Sequence, residues 1–231
     1  MRKLAICYPG DMATVYMPAF DSMVNIHHPG TCEVRWFRGI GWCQARRRTQ
    51  ACEKALEWGA DLIAQFDVDQ IYEPDVLERL VARHDAGYRI VAAAVPMRGY
   101  IEESKLPPFG KCAWRSIDGG TDFEPVEITG GIEEAEFPTS ACVLFAADDL
   151  RRLPAPWYFF EYDTKTYKLV KGEDGLFFLR MAKIGVKSYV DTSIRVRHAA
   201  VFGIDETYPG RFADWPETGD RTLCAFKKDA A

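Results

Sequence analysis

The sequence lacks the long apolar run of about 20 residues that a membrane-spanning helix requires. Its apolar runs, such as Ile90 to Val95, have the length of a buried strand. The first residues, Met1 to Leu4, include two basic side chains, but Pro9 and Gly10 follow after only a few apolar residues. No signal peptide is indicated by such a start. We therefore expect a cytoplasmic protein without a membrane span.

Cysteine pairs at metal-binding or redox spacing are also missing. The seven cysteines are scattered, their number is odd, and no C-x-x-C motif occurs. This pattern indicates neither a zinc knuckle nor a disulfide framework. Cys7 and Cys142 lie in apolar runs, where cysteine acts as a small buried hydrophobe. We expect reduced thiols.

The chain has no excess of positive charge. Asp and Glu number 34 against 29 Lys and Arg, for a net charge of -5. The chain as a whole is therefore not of the basic type that binds nucleic acid, although a local basic patch remains compatible with these counts. With 231 residues, 48% of them apolar and 27% charged, it is long enough for one sizeable core, and we expect a single domain.

What the chain does have is an alternation of strand and helix patterns in its first half. Buried-strand patterns cover 3–8, 33–37, 61–66 and 89–95, and helical spacing of apolar residues covers 14–28, 44–58 and 74–84. This order predicts an α/β fold with a mostly parallel central sheet flanked by helices.

The second half is less regular. Residues 97–125 are rich in Gly and Pro with little periodicity, as is typical of a lid or a binding loop. Further strands are predicted over 141–146, 186–190 and 194–198, and further helices over 148–153 and 172–185. The tail from Val201 shows no clear period.

The sharpest local feature is a pair of carboxylates, Asp67 and Asp69, directly after the third strand pattern. Ligands of open parallel sheets bind at the carboxyl ends of strands, and residues two apart on a strand face the same side. Two adjacent carboxylates repel unless a proton or a cation lies between them, and Mg2+ or Mn2+ takes such oxygens. The alternative is two solvated acids in a strand-to-helix turn.

Two further features lie in the second half. Glu173 and Asp174 open a predicted helix, where the helix dipole alone favours acids, but where a carboxylate at a cleft also serves as a general base. His198 ends a predicted strand. It has either a structural role or completes a metal site with Asp67 and Asp69.

In this order the features resemble a GT-A fold glycosyltransferase, and they are most similar to small bacterial and phage members related to the large inverting family. The resemblance covers Lys3 to Ala199. It is carried by Pro9 after the first strand, Arg48 in the second helix, Asp67-Val68-Asp69, the Glu173-Asp174 pair and His198. Thr49 stands where the family usually has Asn.

The resemblance implies a single GT-A (Rossmann-like) domain over residues 1–231. Residues 1–96 would bind the nucleotide sugar, residues 97–200 would form the acceptor and catalytic half with a less regular structure, and 201–231 would be a C-terminal tail. The implied reaction moves a sugar from a nucleoside-diphosphate sugar, UDP-linked, to an acceptor hydroxyl with inversion, and requires Mn2+ or Mg2+.

The resemblance also implies residue roles. The metal ligands would be Asp69 and His198 together with Asp67, which also approaches the ribose. Tyr8, Pro9 and Val68 would border the base. Arg48 would reach the ribose or the diphosphate, or else be a surface cation.

On the acceptor side, Asp174 would be the catalytic base and Glu173 would help to orient the acceptor. Aromatic side chains stack on sugars, but a run of four, residues 157–160, also suits a core. We expect acceptor contact from Trp157 or Tyr158 and burial of the others.

Several alternatives remain at this stage. The acceptor implied by the resemblance is a glycan or a hydroxymethylated base in phage-type DNA, and the oligomeric state is open. A nucleotidyltransferase shares the sheet and the Asp-bound metal, but the stretch from Tyr8 to Met12 lacks the Gly-rich loop with Arg that such enzymes carry. A non-catalytic nucleotide-sugar-binding relative would have been free to lose Asp67, Asp69, Asp174 and His198.

Overall fold

The computed structural model describes residues 1–10, 16–96, 113–117 and 123–199. The elements of the first half follow the predicted alternation of strands and helices. They are β1 (Arg2–Pro9), α1 (Met17–Val24), β2 (Cys32–Gly39), α2 (Gln44–Glu57), β3 (Leu62–Phe66), β4 (Gln70–Ile71), α3 (Val76–Asp85) and β5 (Ile90–Ala94).

The second half contributes more short strands than the sequence predicts. Its elements are β6 (Trp114–Ser116), β7 (Phe123–Pro125), β8 (Ile132–Glu134), β9 (Cys142–Ala146), α4 (Ala147–Arg151), β10 (Glu161–Tyr162), β11 (Leu169–Lys171), α5 (Glu173–Lys183), β12 (Ser188–Arg195) and β13 (Arg197–His198). Most of the predicted 97–125 loop, the tail from Val201 and the first two residues of the predicted 14–28 helix lie outside the described residues.

The central sheet has seven strands in the order β2-β1-β3-β9-β5-β12-β8. β1 pairs in parallel with β2 and β3, and β5 pairs in parallel with β12. β9 is antiparallel to both β3 and β5, and β8 is antiparallel to β12. Five of the seven strands therefore run in the same direction, which confirms the predicted α/β fold with a mostly parallel sheet.

The sheet is covered on both faces, and the sequence of β3 is apolar enough to be buried on both sides. All five of its residues are buried. Ile63 packs in the cluster that includes Ala51 of α2 and Phe177 of α5, while Phe66 packs with Leu77 of α3. Because successive side chains of a strand point to opposite faces, a strand covered on both sides reads as a continuous apolar run.

One prediction about the end of the chain is wrong in its boundaries. Residues 188–195 form one strand, β12, whose pairing with β5 shifts between Asp191 and Arg195. The short strand β13 follows and pairs antiparallel with β4, so that His198 stands opposite Gln70. The irregularity in β12 thus turns the chain away from the main sheet and brings His198 to the segment that follows Asp69.

Two expectations from composition can be compared with the structure. None of the helices in the described part of the chain is long and apolar enough to cross a membrane. The five cysteines within the described ranges, Cys7, Cys32, Cys43, Cys52 and Cys142, are free thiols.

A buried carboxylate holds the irregular part of β12. The Asp191 side chain is fully buried and accepts hydrogen bonds from Arg83 Nε at 2.7 Å and from the Ser193 backbone N–H at 2.9 Å. Burial alone raises a carboxyl pKa, but the hydrogen bonds from Ser193 and Arg83 outweigh it and hold the pKa of Asp191 below its usual range. The ionised form is therefore the one that the fold stabilises.

We predict that Asp191→Asn lowers the free energy of unfolding by about 1–3 kcal/mol, the usual worth of hydrogen bonds to a charged group. A carboxyl with a lowered pKa contributes stability above its unfolded-state pKa and loses it as the pH falls, so the difference between the proteins should shrink below about pH 4. Urea denaturation at several pH values measures it.

The matched control is Asp148→Asn. The Asp148 side chain is 83% exposed and pairs with Arg151, so its substitution should change the free energy of unfolding by less than about 0.5 kcal/mol. Equal losses in the two variants would contradict a special role for Asp191.

Candidate active site

A cleft of about 680 Å³ lies at the carboxyl ends of the parallel strands, where open α/β sheets bind their ligands. Pro9 ends β1 on this side, Asp67 follows β3, and Pro96 follows β5. The first turns of α2 and α5 complete the wall. Of the residues predicted from the sequence, the cleft is lined by Pro9, Arg48, Asp67, Val68, Asp69, Asp174 and His198.

Asp69 and His198 face each other across the β4–β13 ribbon. The Ala199 N–H donates to the Asp69 carbonyl at 2.8 Å. The imidazole Nε2 lies 3.2 Å from Asp69 Oδ2, and Nδ1 lies 3.1 Å from the Pro96 carbonyl oxygen. Because a carbonyl oxygen only accepts, this geometry puts the Nδ1 proton toward Pro96 and turns Nε2 toward the carboxylate.

The donor set of Asp69 and His198 fits a divalent cation. A histidine that ligates through one nitrogen usually donates from the other to a carbonyl or carboxylate, as His198 does to Pro96. Within the described ranges, no three His, Cys, Asp or Glu side chains gather into a ligand group, so Asp67 is not grouped with the pair. Mg2+ is commonly bound by one or two carboxylates, with water and substrate phosphates as its other ligands.

Asp67 is instead paired with a buried arginine. The Arg48 side chain is 4% exposed, which excludes the alternative of a surface cation. Its Nη2 donates to Asp67 Oδ2 at 3.0 Å and lies 2.9 Å from Oδ1, while Nη1 donates to the Ser140 carbonyl at 3.0 Å. Arg48 Nε lies 3.6 Å from Glu173 Oε1. The guanidinium therefore joins Asp67 to Glu173.

The charges of this group are mutually dependent. Burial disfavours the Arg48 cation, but Asp67 and Glu173 outweigh that effect and raise the pKa of Arg48. Burial raises the pKa of Asp67. The Arg48 cation opposes this rise, and the Asp69 carboxylate adds to it. Burial likewise raises the pKa of Glu173, opposed by Arg48 and reinforced by Asp174. Three carboxylates (Asp67, Asp69 and Asp174) and two arginines (Arg47 and Arg48) are among the residues that line the cleft. The carboxylates thus outnumber the arginines by one, and a bound cation would offset the repulsion among them.

The two acids of the Glu173-Asp174 pair have different surroundings. They open α5 after Gly172, where the unpaired backbone N–H groups of the first turn favour negative charge. Asp174 lines the cleft, and its Oδ1 accepts from the Gly175 N–H at 2.8 Å. Glu173 does not line the cleft, is 14% exposed and faces Arg48.

The aromatic residues predicted from the sequence lie away from the cleft wall. Trp157 is 7% exposed and donates from Nε1 to the Leu153 carbonyl at 3.1 Å. Tyr158 is 1% exposed and stacks on Phe177 with ring centroids 4.6 Å apart. Both belong to the core, and neither lines the cleft. The rings of Tyr8 and Trp36 form a T-shaped pair, and Tyr8 does not line the cleft.

Sequence reasoning missed several residues that line the cleft, among them Gln70, Trp114 and Phe137. Gln70 is 1% exposed, and its Nε2 donates to Asp69 Oδ1 at 3.4 Å. Its only sequence signal is its position directly after Asp69. Trp114 and Phe137 lie in or near the Gly- and Pro-rich stretch, where no periodicity marks them.

Comparison with known proteins shows the fold of the chain but not its activity. Neither a protein-family model nor a curated protein sequence matches the chain. The crystal structure of A197 from STIV has a TM-score of 0.56 and 20% identity, over 89% of this chain and 87% of that one. This likeness and the sheet order confirm the predicted GT-A type of α/β fold.

A second solved structure is less similar. It is S. aureus TarS, residues 1–349, in complex with UDP-GlcNAc, with a TM-score of 0.47 and 12% identity. The match covers 88% of this chain and 60% of that one.

We predict that Arg48→Lys lowers the free energy of unfolding by about 2–4 kcal/mol, because a lysine ammonium lacks the planar fork that reaches both Asp67 and Ser140, and buried charges are left poorly paired. Chemical denaturation measures the loss. The control is Arg46→Lys on the same helix. The Arg46 side chain is 44% exposed and pairs with Glu53 at 3.0 Å, so less than about 0.5 kcal/mol should be lost. Similar losses in both variants would contradict the joining role of Arg48.

Proposed function

We propose that the protein is a metal-dependent glycosyltransferase that moves a sugar from a nucleoside-diphosphate sugar, UDP-linked, to an acceptor hydroxyl with inversion. One observation carries the proposal. The Asp69–His198 pair and the Asp174 carboxylate line the same cleft, at the edge of the sheet where α/β folds bind ligands. The GT-A fold is consistent with this reaction but does not establish it.

On the donor side, Asp69 and His198 would hold Mn2+ or Mg2+. The bound ion would supply positive charge to the diphosphate as negative charge develops on the leaving group. Pro9 and Val68, on the same wall of the cleft, are proposed to border the base. Arg48 fixes the Asp67 carboxylate, which we assign to the ribose side of the donor.

On the acceptor side, Asp174 is the proposed general base. Its carboxylate takes the proton of the acceptor hydroxyl while that oxygen attacks the anomeric carbon. The bond from the anomeric carbon to the phosphate oxygen breaks, and its electron pair leaves with the nucleoside diphosphate. Attack on the face opposite the leaving group inverts the anomeric centre. Glu173, held by Arg48, supports the position of Asp174 at the start of α5.

We predict that UDP with Mn2+ or Mg2+ raises the thermal midpoint by about 5–10 °C at a concentration near 100 times the dissociation constant. Either component alone should give a smaller shift, because the two protein ligands need phosphate oxygens to complete the coordination of the ion. Differential scanning fluorimetry with UDP, the cations and both together measures this. The absence of a joint shift would reject the metal–donor arrangement.

The His198→Ala variant locates that effect. Loss of the imidazole should remove the cation-dependent part of the shift and leave the smaller shift with UDP alone. The control is His27→Ala, since the His27 side chain is 61% exposed and lies 3.6 Å from Glu78, outside the cleft lining. A full joint shift in His198→Ala would return His198 to a structural role.

We predict that Asp174→Asn keeps the joint shift with UDP and Mn2+ but lowers turnover at least about 100-fold, the lower limit of what a positioned base contributes. Turnover is followed as UDP release from UDP-glucose, UDP-galactose and UDP-N-acetylglucosamine with a panel of glycan acceptors. Asp148→Asn, whose side chain is 83% exposed, is the control. Undiminished turnover in Asp174→Asn would assign the base to another residue.

A further inference from the structure

Two aromatic side chains stand together on one side of the cleft. The Trp114 N–H donates to the Phe137 carbonyl, and the Phe137 N–H donates to the Trp114 carbonyl, both at 3.1 Å. Residues that exchange both hydrogen bonds are directly opposite each other and project to the same side. Both line the cleft and are partly exposed. We call Trp114 and Phe137 the aromatic wall.

The aromatic wall borders the proposed base. A Cβ placed on Gly175 would lie 3.7 Å from Phe137 Cδ1, so the Phe137 ring is in contact range of the first turn of α5, one residue after Asp174. Phe137 is also packed edge-to-face against Phe123, with ring centroids 4.7 Å apart and an interplanar angle of 68°. The ring therefore has a fixed place next to the position that the acceptor hydroxyl must occupy.

The chemistry of this wall suits a sugar ring. A pyranose presents C–H groups on its faces and hydroxyl groups around its rim. The face of an aromatic ring carries partial negative charge and attracts the positive edges of such C–H groups. Small-ligand sites combine aromatic walls with a few placed polar groups, here Trp114 and Phe137 with the Asp174 carboxylate. A sugar stacked on the wall can turn one hydroxyl toward Asp174.

The charge of the segment that precedes Phe137 favours one of the two implied acceptors, although its glutamates do not line the cleft, which Arg47 and Arg48 do. Residues 123–136, which include β7, β8 and Phe123, contain five glutamates and no lysine or arginine. Two of the glutamates are paired: Glu124 with Arg115 and Glu134 with Lys187. An acidic surface repels the phosphates of DNA, whose binding depends on basic side chains. A neutral glycan has no such penalty.

We propose that Trp114 and Phe137 form the acceptor subsite, and that the subsite takes an uncharged sugar ring of a glycan. The acceptor assignment rests on the proposed function. The binding of sugar to the wall does not, because it can be measured without turnover.

The test is saturation-transfer NMR with maltose, cellobiose, lactose and N,N′-diacetylchitobiose, in the presence of UDP and Mn2+. At least one of these sugars should receive magnetisation at its ring C–H protons. Trp114→Ala should weaken that binding about 10-fold, the size expected for loss of one aromatic stacking contact. Trp114→Phe keeps a ring face and should retain most of the affinity, which separates loss of stacking from loss of folding.

The matched control is Trp42→Ala. Trp42 is 87% exposed and does not line the cleft, so its removal should leave sugar binding unchanged. Equal affinity in Trp114→Ala and the wild type, or no binding of any of the four sugars, would overturn the subsite. Tighter binding of a short DNA duplex than of the sugars, with affinity falling steeply as salt rises, would overturn the choice of a glycan.

The outcome also separates this proposal from the one on which it rests. Sugar binding that depends on Trp114 without any joint UDP and cation shift would keep the sugar site and reject the glycosyltransferase reaction. A joint shift without sugar binding would keep the donor site and reject the aromatic wall.

Discussion

The geometry of the cleft depends on one buried cation, the guanidinium of Arg48. It comes from α2 and contacts Asp67 after β3, the Ser140 carbonyl before β9 and Glu173 at the start of α5. Without it, Asp67 and Glu173 would be two poorly hydrated negative charges near Asp69 and Asp174. Neighbouring like charges repel strongly where the dielectric is low. Arg48 thus fixes three chain segments in one arrangement.

This cation divides the four acids of the site into two kinds. Asp67 and Glu173 share the single Arg48 cation and help to hold the walls in place, and Asp67 also lines the cleft. Asp69 and Asp174 line the cleft and meet what enters it. Burying an ion pair seldom adds stability compared with an apolar core, so its presence here is better explained by the position it gives to neighbouring carboxylates than by a gain in folding free energy.

Local patterns predicted much of this architecture, and non-local contacts account for what they missed. The continuous apolar run of β3 and the acids after it are visible in the sequence, because both follow from strand periodicity. His198 meets Asp69 across 129 residues, through an irregular β12 that depends on Asp191. The burial of Arg48 and Tyr158 depends on the packing of α5 against α2 and the sheet. Trp114, at the start of β6, and Phe137 meet through an isolated backbone bridge, which no local periodicity predicts.

The net charge of -5 is a sum over the whole chain and does not describe how charge is distributed around the cleft. The donor side of the cleft gathers Asp69 and His198, a pair whose chemistry suits a cation and, through it, an anionic diphosphate. The acceptor side combines the aromatic wall with an acidic stretch that has no basic residue from 123 to 136. A diphosphate would bind through the cation, whereas an uncharged sugar ring would bind through aromatic contacts. The two substrates would therefore not need the same charged groups. Under the proposed function, the donor diphosphate would lie next to Asp69 and His198, and the acceptor sugar would lie on the aromatic wall near the start of α5.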